Sequence, residues 1–200
     1  MSAAQPPDKL TQETPTATLL EALHMDDDAT RQRAVFLLRR RGDEALKQPL
    51  AALHDEDRVK RSSAAWELGV IGLRGAIDGL ARAASDPDEG VRANAVWALG
   101  VLGDSRGVPA LMRVLQGDPV PDVRQGAAIA LGQVEDGAAL KALLAVLRDD
   151  KAWIVRESAA QSIGKLGNRE AISTLEDALT DSESRVRKAV AAALRTLQEE

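Results

Sequence analysis

A short pattern, Asp, four residues, then Val-Arg, recurs along the chain at a nearly constant interval. It reads Asp86 to Val91-Arg92, Asp118 to Val123-Arg124, Asp150 to Val155-Arg156 and Asp181 to Val186-Arg187. Weaker copies end at Lys60-Arg61, after Asp55, and at Thr30-Arg31. The anchoring arginines Arg31, Arg61, Arg92, Arg124, Arg156 and Arg187 are therefore spaced by 30, 31, 32, 32 and 31 residues. A period of this length implies a stacked array of small units, none of which can bury its apolar surface alone.

Each copy has the same internal grammar when the residue before the anchoring Arg is numbered 0. Position +4 is small or apolar (Ala34, Ala64, Ala95, Ala127, Ala159, Val190), and +8 is aliphatic (Leu38, Leu68, Leu99, Leu131, Ile163, Leu194). Gly fills +9 in the middle copies, at Gly69, Gly100, Gly132 and Gly164. Gly is costly inside a helix, so these four positions predict close backbone approach between units. A second Gly at +12 (Gly42, Gly72, Gly103, Gly167) reads as a helix stop. A further helical pattern follows each stop, for example Val108, Leu111, Met112 and Leu115. The anchor helix is expected to open at the recurring Asp, twice followed by Pro (Asp86-Pro87, Asp118-Pro119). The outer copies carry Arg39 and Arg195 where the middle ones have Gly, as capping units would. Residues 1–15 are aperiodic and are expected to form a flexible leader before a single repeat domain over 16–200.

The motif, best seen in Val91-Arg-Ala-Asn-Ala-Val-Trp-Ala-Leu-Gly-Val-Leu-Gly-Asp104, resembles the HEAT-like repeats of the phycobilisome-lyase type. The resemblance covers about residues 16 to 200. It implies an all-α fold, a right-handed α-solenoid of about six two-helix units. Such repeats serve many unrelated roles, so it implies far less about function.

On a helical wheel, positions 0, 4, 7, 8 and 11 of the anchor helix share one arc and are small or apolar. Positions 2, 3, 6 and 10 fall on the opposite arc and vary between copies. The resemblance implies that this open arc is the concave wall, where partners bind. Its contents predict a partner-binding stripe of Phe36, Trp66, Trp97 and Ile129 at +6 with Val70 and Val101 at +10, flanked by Arg33, Arg40, Asn94 and Gln133. Aromatic anchors ringed by small polar groups suit protein recognition. In the competing reading, the Trp rings fold over and fill gaps in the core. The repeated arginines are expected to form a structural ladder with Asp55, Asp86, Asp118, Asp150 and Asp181.

Composition narrows the remaining chemistry. With no Cys there is no thiolate metal site, disulfide or Cys nucleophile. The two histidines, His24 and His54, occupy the same repeat position, but a shared ion would need both nitrogens near about 2 Å from it. No metal site and no cofactor are expected. Some HEAT-type hydroxylases hold iron through His-Glu dipeptides, and here those positions read His24-Met25 and His54-Asp55. The triplet Arg39-Arg40-Arg41 reads as a solvated helix end. The net charge is −5, and the open arc carries only Arg33, Arg40, Lys165 and Lys188 against Glu157, a thin track for phosphates. No apolar run is long enough to span a membrane, no signal peptide is read, and a cytoplasmic location is expected.

The expectation is a non-enzymatic scaffold that binds another protein. One alternative, carried by the resemblance, is a component of a bilin lyase in which Trp rings stack on a tetrapyrrole and Arg33 or Arg40 takes a propionate. Another is a nucleic-acid-binding protein.

Overall fold

The computed structural model describes residues 10–199, which form twelve α-helices and no strand. In order they are α1 (Thr16–Leu23), α2 (Asp28–Arg41), α3 (Lys47–Ala52), α4 (Arg58–Ile71), α5 (Ile77–Ala83), α6 (Glu89–Leu102), α7 (Val108–Gly117), α8 (Pro121–Val134), α9 (Leu140–Asp149), α10 (Trp153–Leu166), α11 (Ile172–Ala178) and α12 (Ser184–Glu199). The even-numbered helices carry the anchoring arginines. Of the odd-numbered helices, each packs chiefly on the one that precedes it, so the chain is six two-helix units, α1–α2 through α11–α12. The phase differs from the grammar read in the sequence. The helix after each Gly stop belongs to the next unit.

The core lies between the two rows of helices. Leu68, Leu99, Leu131 and Ile163 from the anchor row meet Leu80, Leu111, Leu143 and Leu175 from the outer row, all essentially inaccessible to water. Burying one such side chain is worth about 1.5–3 kcal/mol.

Consecutive anchor helices approach through bare backbone. A Cβ placed on Gly132 would lie 2.5 Å from Ser162 Oγ and 3.0 Å from its Cα. Gly69 faces Ala98, Gly100 faces Ala130 and Gly164 faces Ala193 in the same way. The outer helices touch each other far less than the anchor helices do. The face of the closely packed anchor row that turns away from the outer helices is termed the inner wall.

The recurring aspartates do not cap these helices. The caps are Asp27, Asp57 and Asp88, whose carboxylates accept from backbone N–H groups of the first turn, and Val120 and Ala152 in the later units. Asp86, Asp118 and Asp150 sit two residues earlier and accept from the amides of Asp88, Val120 and Ala152 at 2.8–2.9 Å. That turn points each carboxylate at the preceding unit. Gly72, Gly103 and Gly167 end α4, α6 and α10 in the left-handed region, and Glu135 takes the same conformation after α8, at φ 56°.

Residues 10–15, expected to be part of a leader, instead cap the first unit. Leu10 is 3% exposed, Arg33 Nε donates to its carbonyl at 3.2 Å, and Arg41 donates to Thr16 Oγ1 at 2.7 Å and to the carbonyls of Gln12 and Thr14. A buried Leu and a guanidinium that satisfies backbone carbonyls order this segment. The rest of the expected leader, residues 1–9, lies outside the described residues.

Candidate partner-binding surface

The anchor helices turn the +6 and +10 positions away from the outer row, onto the inner wall. Phe36 (49% exposed), Trp97 (42%), Val101 (49%) and Ile129 (38%) lie open there. They are four of the six large apolar side chains exposed among the described residues; the others are Val59 and Leu179.

Trp66 and Val70 depart from the expected stripe. Both are half-buried and pack against the core. The Trp66 ring leans on the His24 ring, with centroids 4.9 Å apart, and His24 Nε2 and Glu67 Oε1 are 2.9 Å apart. Trp97, one unit along, lies across the bare backbone of Gly69, where an added Cβ would come within 2.5 Å of its ring. The core reading therefore describes Trp66 in part, and the open reading describes Trp97.

The polar flank is mixed. The guanidinium carbons of Arg33 and Arg40 stand 5.6 and 5.7 Å from the Phe36 ring centroid, close enough for cation–π attraction. The Gln12 amide oxygen, turned toward Arg40, accepts from its Nε at 2.9 Å. Asn94 Nδ2 is spent on Ser62, donating to its carbonyl at 3.0 Å and its hydroxyl at 2.9 Å. Gln133 is exposed and lies over Gly100.

The arginines and aspartates meet in four rungs. Arg61 donates from Nε and Nη2 to Asp86, Arg92 to Asp118, Arg124 to Asp150 and Arg156 to Asp181, at 2.6–3.0 Å. The same guanidiniums donate through Nη1 to the carbonyls of Asp55, Asp86, Asp118 and Asp150. Each Arg thus ties its own loop to the next unit. Burial pushes the Asp118 carboxyl up. The Arg92 hydrogen bonds, the Val120 amide and the Arg92 charge outweigh it and hold the group below its ordinary value. Asp86 and Asp150 behave alike, and in Asp181 the Arg156 hydrogen bonds are the leading cause of the same lowering.

The expected rung between Arg31 and Asp55 does not form. Arg31 pairs with Asp28 at 3.0 Å and donates to the Met25 carbonyl, while Asp55 takes Lys60 Nζ at 3.0 Å. Arg187, in the last unit, donates to the carbonyls of Asp181 and Ser182. The cause at the first interface is local. Arg39 replaces the contact Gly, and its Nε reaches across to cap the end of α4 at the Ile71 carbonyl (2.7 Å), so α2 and α4 stand apart. Arg39 and Arg41 are therefore spent on carbonyls and are not the solvated helix end expected of the triplet.

This gap opens a cleft of about 270 Å³ between the first two units, with Leu20, His24, Pro49, Val59 and Glu67 among its walls. Burial pushes the Glu67 carboxyl up, and the hydrogen bond and charge of His24 only partly offset it. The sequence reading missed this cleft. Its signals were Lys60 at position 0, where four later units have Val, and Arg39 at +9. Among the described residues no group of three or more His, Asp or Glu side chains could hold a metal ion. No helix there is long and apolar enough to cross a membrane.

Comparison with known proteins matches the fold. No curated protein matches the sequence significantly. Among solved structures, the Schizosaccharomyces pombe condensin Cnd3–Cnd2 subcomplex superimposes at a TM-score of 0.65 with 20% identity, over 88% of this chain and 27% of that one. A designed armadillo-repeat protein in complex with a (KR)4 peptide gives 0.60 and 19%, over 92% of this chain and 100% of that one. A complex of CpcE and CpcF of phycocyanin lyase from Nostoc sp. gives 0.43 and 21%, over 98% and 100%, too distant in shape to bear on chemistry. The family described as HEAT repeats matches residues 16–89, 77–164 and 140–200. By that match, the chain belongs to the family of HEAT repeats.

Proposed function

We propose that this chain is a non-enzymatic protein-binding module of the cytoplasm whose partner lies on the inner wall, over Phe36, Trp97, Val101 and Ile129. One observation carries the reading: four of the six large apolar side chains exposed among the described residues gather on one arc, while most other Leu, Ile and Val are buried or half-buried. A contiguous exposed apolar patch in a well-packed protein usually marks an interaction site. Arg33, Arg40 and Gln133 form its polar rim, and Trp66, Val70 and Asn94 support it from behind. Two proteins of the same fold, the designed armadillo repeat and the condensin pair, are described with a peptide and with a second subunit.

The test is affinity capture with wild-type and Trp97→Ser/Ile129→Ser baits, followed by titration of the captured protein. The double variant is expected to keep its thermal midpoint within a few degrees and to lose the partner. Retention of the partner at full affinity refutes the reading.

A further inference from the structure

The inner wall is basic at both ends, although the chain as a whole carries a net charge of −5. Arg33 and Arg40 flank Phe36 in the first unit, and Lys165 and Lys188 lie beyond Ile129 in the last two. All four are exposed, and no carboxylate among the described residues pairs with any of them. At positions +2, +3, +6 and +10 the only acid is half-buried Glu157, while Asp88, beside Trp66 and Asn94, is held by Arg58, and exposed Asp122 lies near the middle of the array in the first turn of α8. Between the two basic ends lie the exposed apolar side chains Trp97, Val101 and Ile129, with Asn94 and Gln133 beside them.

The polar groups along the wall also say what backbone it accepts. An extended peptide exposes unpaired N–H and C=O groups and needs a row of side chains to satisfy them. Here the row at +3 reads Arg33, Ser63, Asn94, Gly126, Ser158 and Ala189. Asn94 is consumed by Ser62, and Ser158 is buried under Gln125. A helix satisfies its own backbone and needs only apolar contact. A helix brings one face back every seven residues, about 10.5 Å along its axis, close to the spacing of about 10 Å between units.

We propose that the occupant of this wall is an amphipathic α-helix of a partner protein, apolar at its centre and acidic at both ends. The inference rests on reading the arc as a partner surface and adds the chemistry of the partner. The apolar face covers Phe36, Trp97, Val101 and Ile129, and the acidic ends meet Arg33 and Arg40 on one side and Lys165 and Lys188 on the other. Charge complementarity of this kind sets orientation and rejects a basic partner.

The test uses the full chain and two fluorescein-labelled synthetic helices of about 30 residues, sharing one Leu-rich face and ending in either Glu or Lys clusters. The acidic helix is expected to bind at least about tenfold more tightly than the basic one, with affinity falling as salt rises. Lys165→Glu/Lys188→Glu, remote from every hydrogen bond that orders the first unit, is expected to remove most of that preference, as is Arg33→Glu/Arg40→Glu with helicity checked by circular dichroism. Equal binding of the two helices, lost in Trp97→Ser, overturns the charge inference and leaves the arc reading standing. Unchanged binding of the acidic helix to Trp97→Ser overturns the arc reading itself. Binding of neither helix at about 1 mM, or displacement of the acidic helix by single-stranded oligothymidylate at equal concentration, overturns the proposal.

Discussion

The first interface of the array and the four that follow are built from the same repeat and hold together differently. From α4 to α12, each junction combines a Gly against a small residue with a bidentate Arg–Asp rung. Between α2 and α4 there is neither. Arg39 replaces the Gly, Lys60 replaces the Val, and Arg31 and Asp55 each find a nearer partner. The junction is held instead by one guanidinium capping a helix end and by His24 against Trp66 and Glu67. The contrast shows that the period alone does not make an interface. Two coupled residue choices do, and where both are absent the stack opens a cleft.

Removing the repeat Asp in each region should expose the difference most strongly. Arg92 and Asp118 have side chains only 10% and 3% exposed. Asp118→Ala leaves a buried guanidinium without its carboxylate and is expected to cost about 3–5 kcal/mol in chemical denaturation. Asp55→Ala, at the equivalent position in the open junction, removes only the Asp57 amide contact and an exposed pair with Lys60 and is expected to cost about 1 kcal/mol or less.

Acid should separate the regions next. The rung carboxyls sit below their ordinary values when folded, so their stabilisation is present above the unfolded pKa of about 3.9 and is lost as pH falls through the folded values. Glu67 has the opposite sign. Its folded pKa is raised, so acidification through that value favours the folded state. Hydrogen exchange followed from pH 5 to pH 2 is expected to show α6–α12 losing protection first, while the region of α1 and α4 around Glu67 does not lead the loss.

A smaller effect is expected at the contact glycines. Gly132→Ala forces a Cβ against Ser162 and should cost about 1–3 kcal/mol by overpacking. Smaller still, and of opposite sign, is Glu135→Gly. It relieves a non-glycine residue at φ 56° and should raise stability by about 0.5–1 kcal/mol, read as a rise in thermal midpoint.

Much of the architecture was legible because a repeat tests every inference six times. The close approach at Gly69, Gly100, Gly132 and Gly164 followed from Gly recurring where a helix does not want it. The pairing of Arg92 with Asp118 followed from two charged residues kept in step. The helix starts were misplaced because an Asp that turns the chain and an Asp that caps a helix look alike when both precede a helix by a few residues. Pairing geometry, not residue type, separates Asp86 from Asp88. The wheel placed Phe36, Trp97, Val101 and Ile129 on an open arc. It could not see that Trp66 would lean into the gap left by Arg39, since that depends on how far α2 stands from α4. The outer row was read in the wrong phase because loop lengths do not reveal which neighbour a helix packs on.

The central claim is that the inner wall, and not the outer row, receives a partner. Hydroxyl-radical footprinting of the free chain and of its complex with the captured protein tests it most directly. Phe36 and Trp97 are expected to be reactive in the free chain and protected in the complex, with Met112 and Leu179 of the outer row unchanged. Protection confined to the outer row, or a Trp97 that is already unreactive in the free chain, would contradict the account.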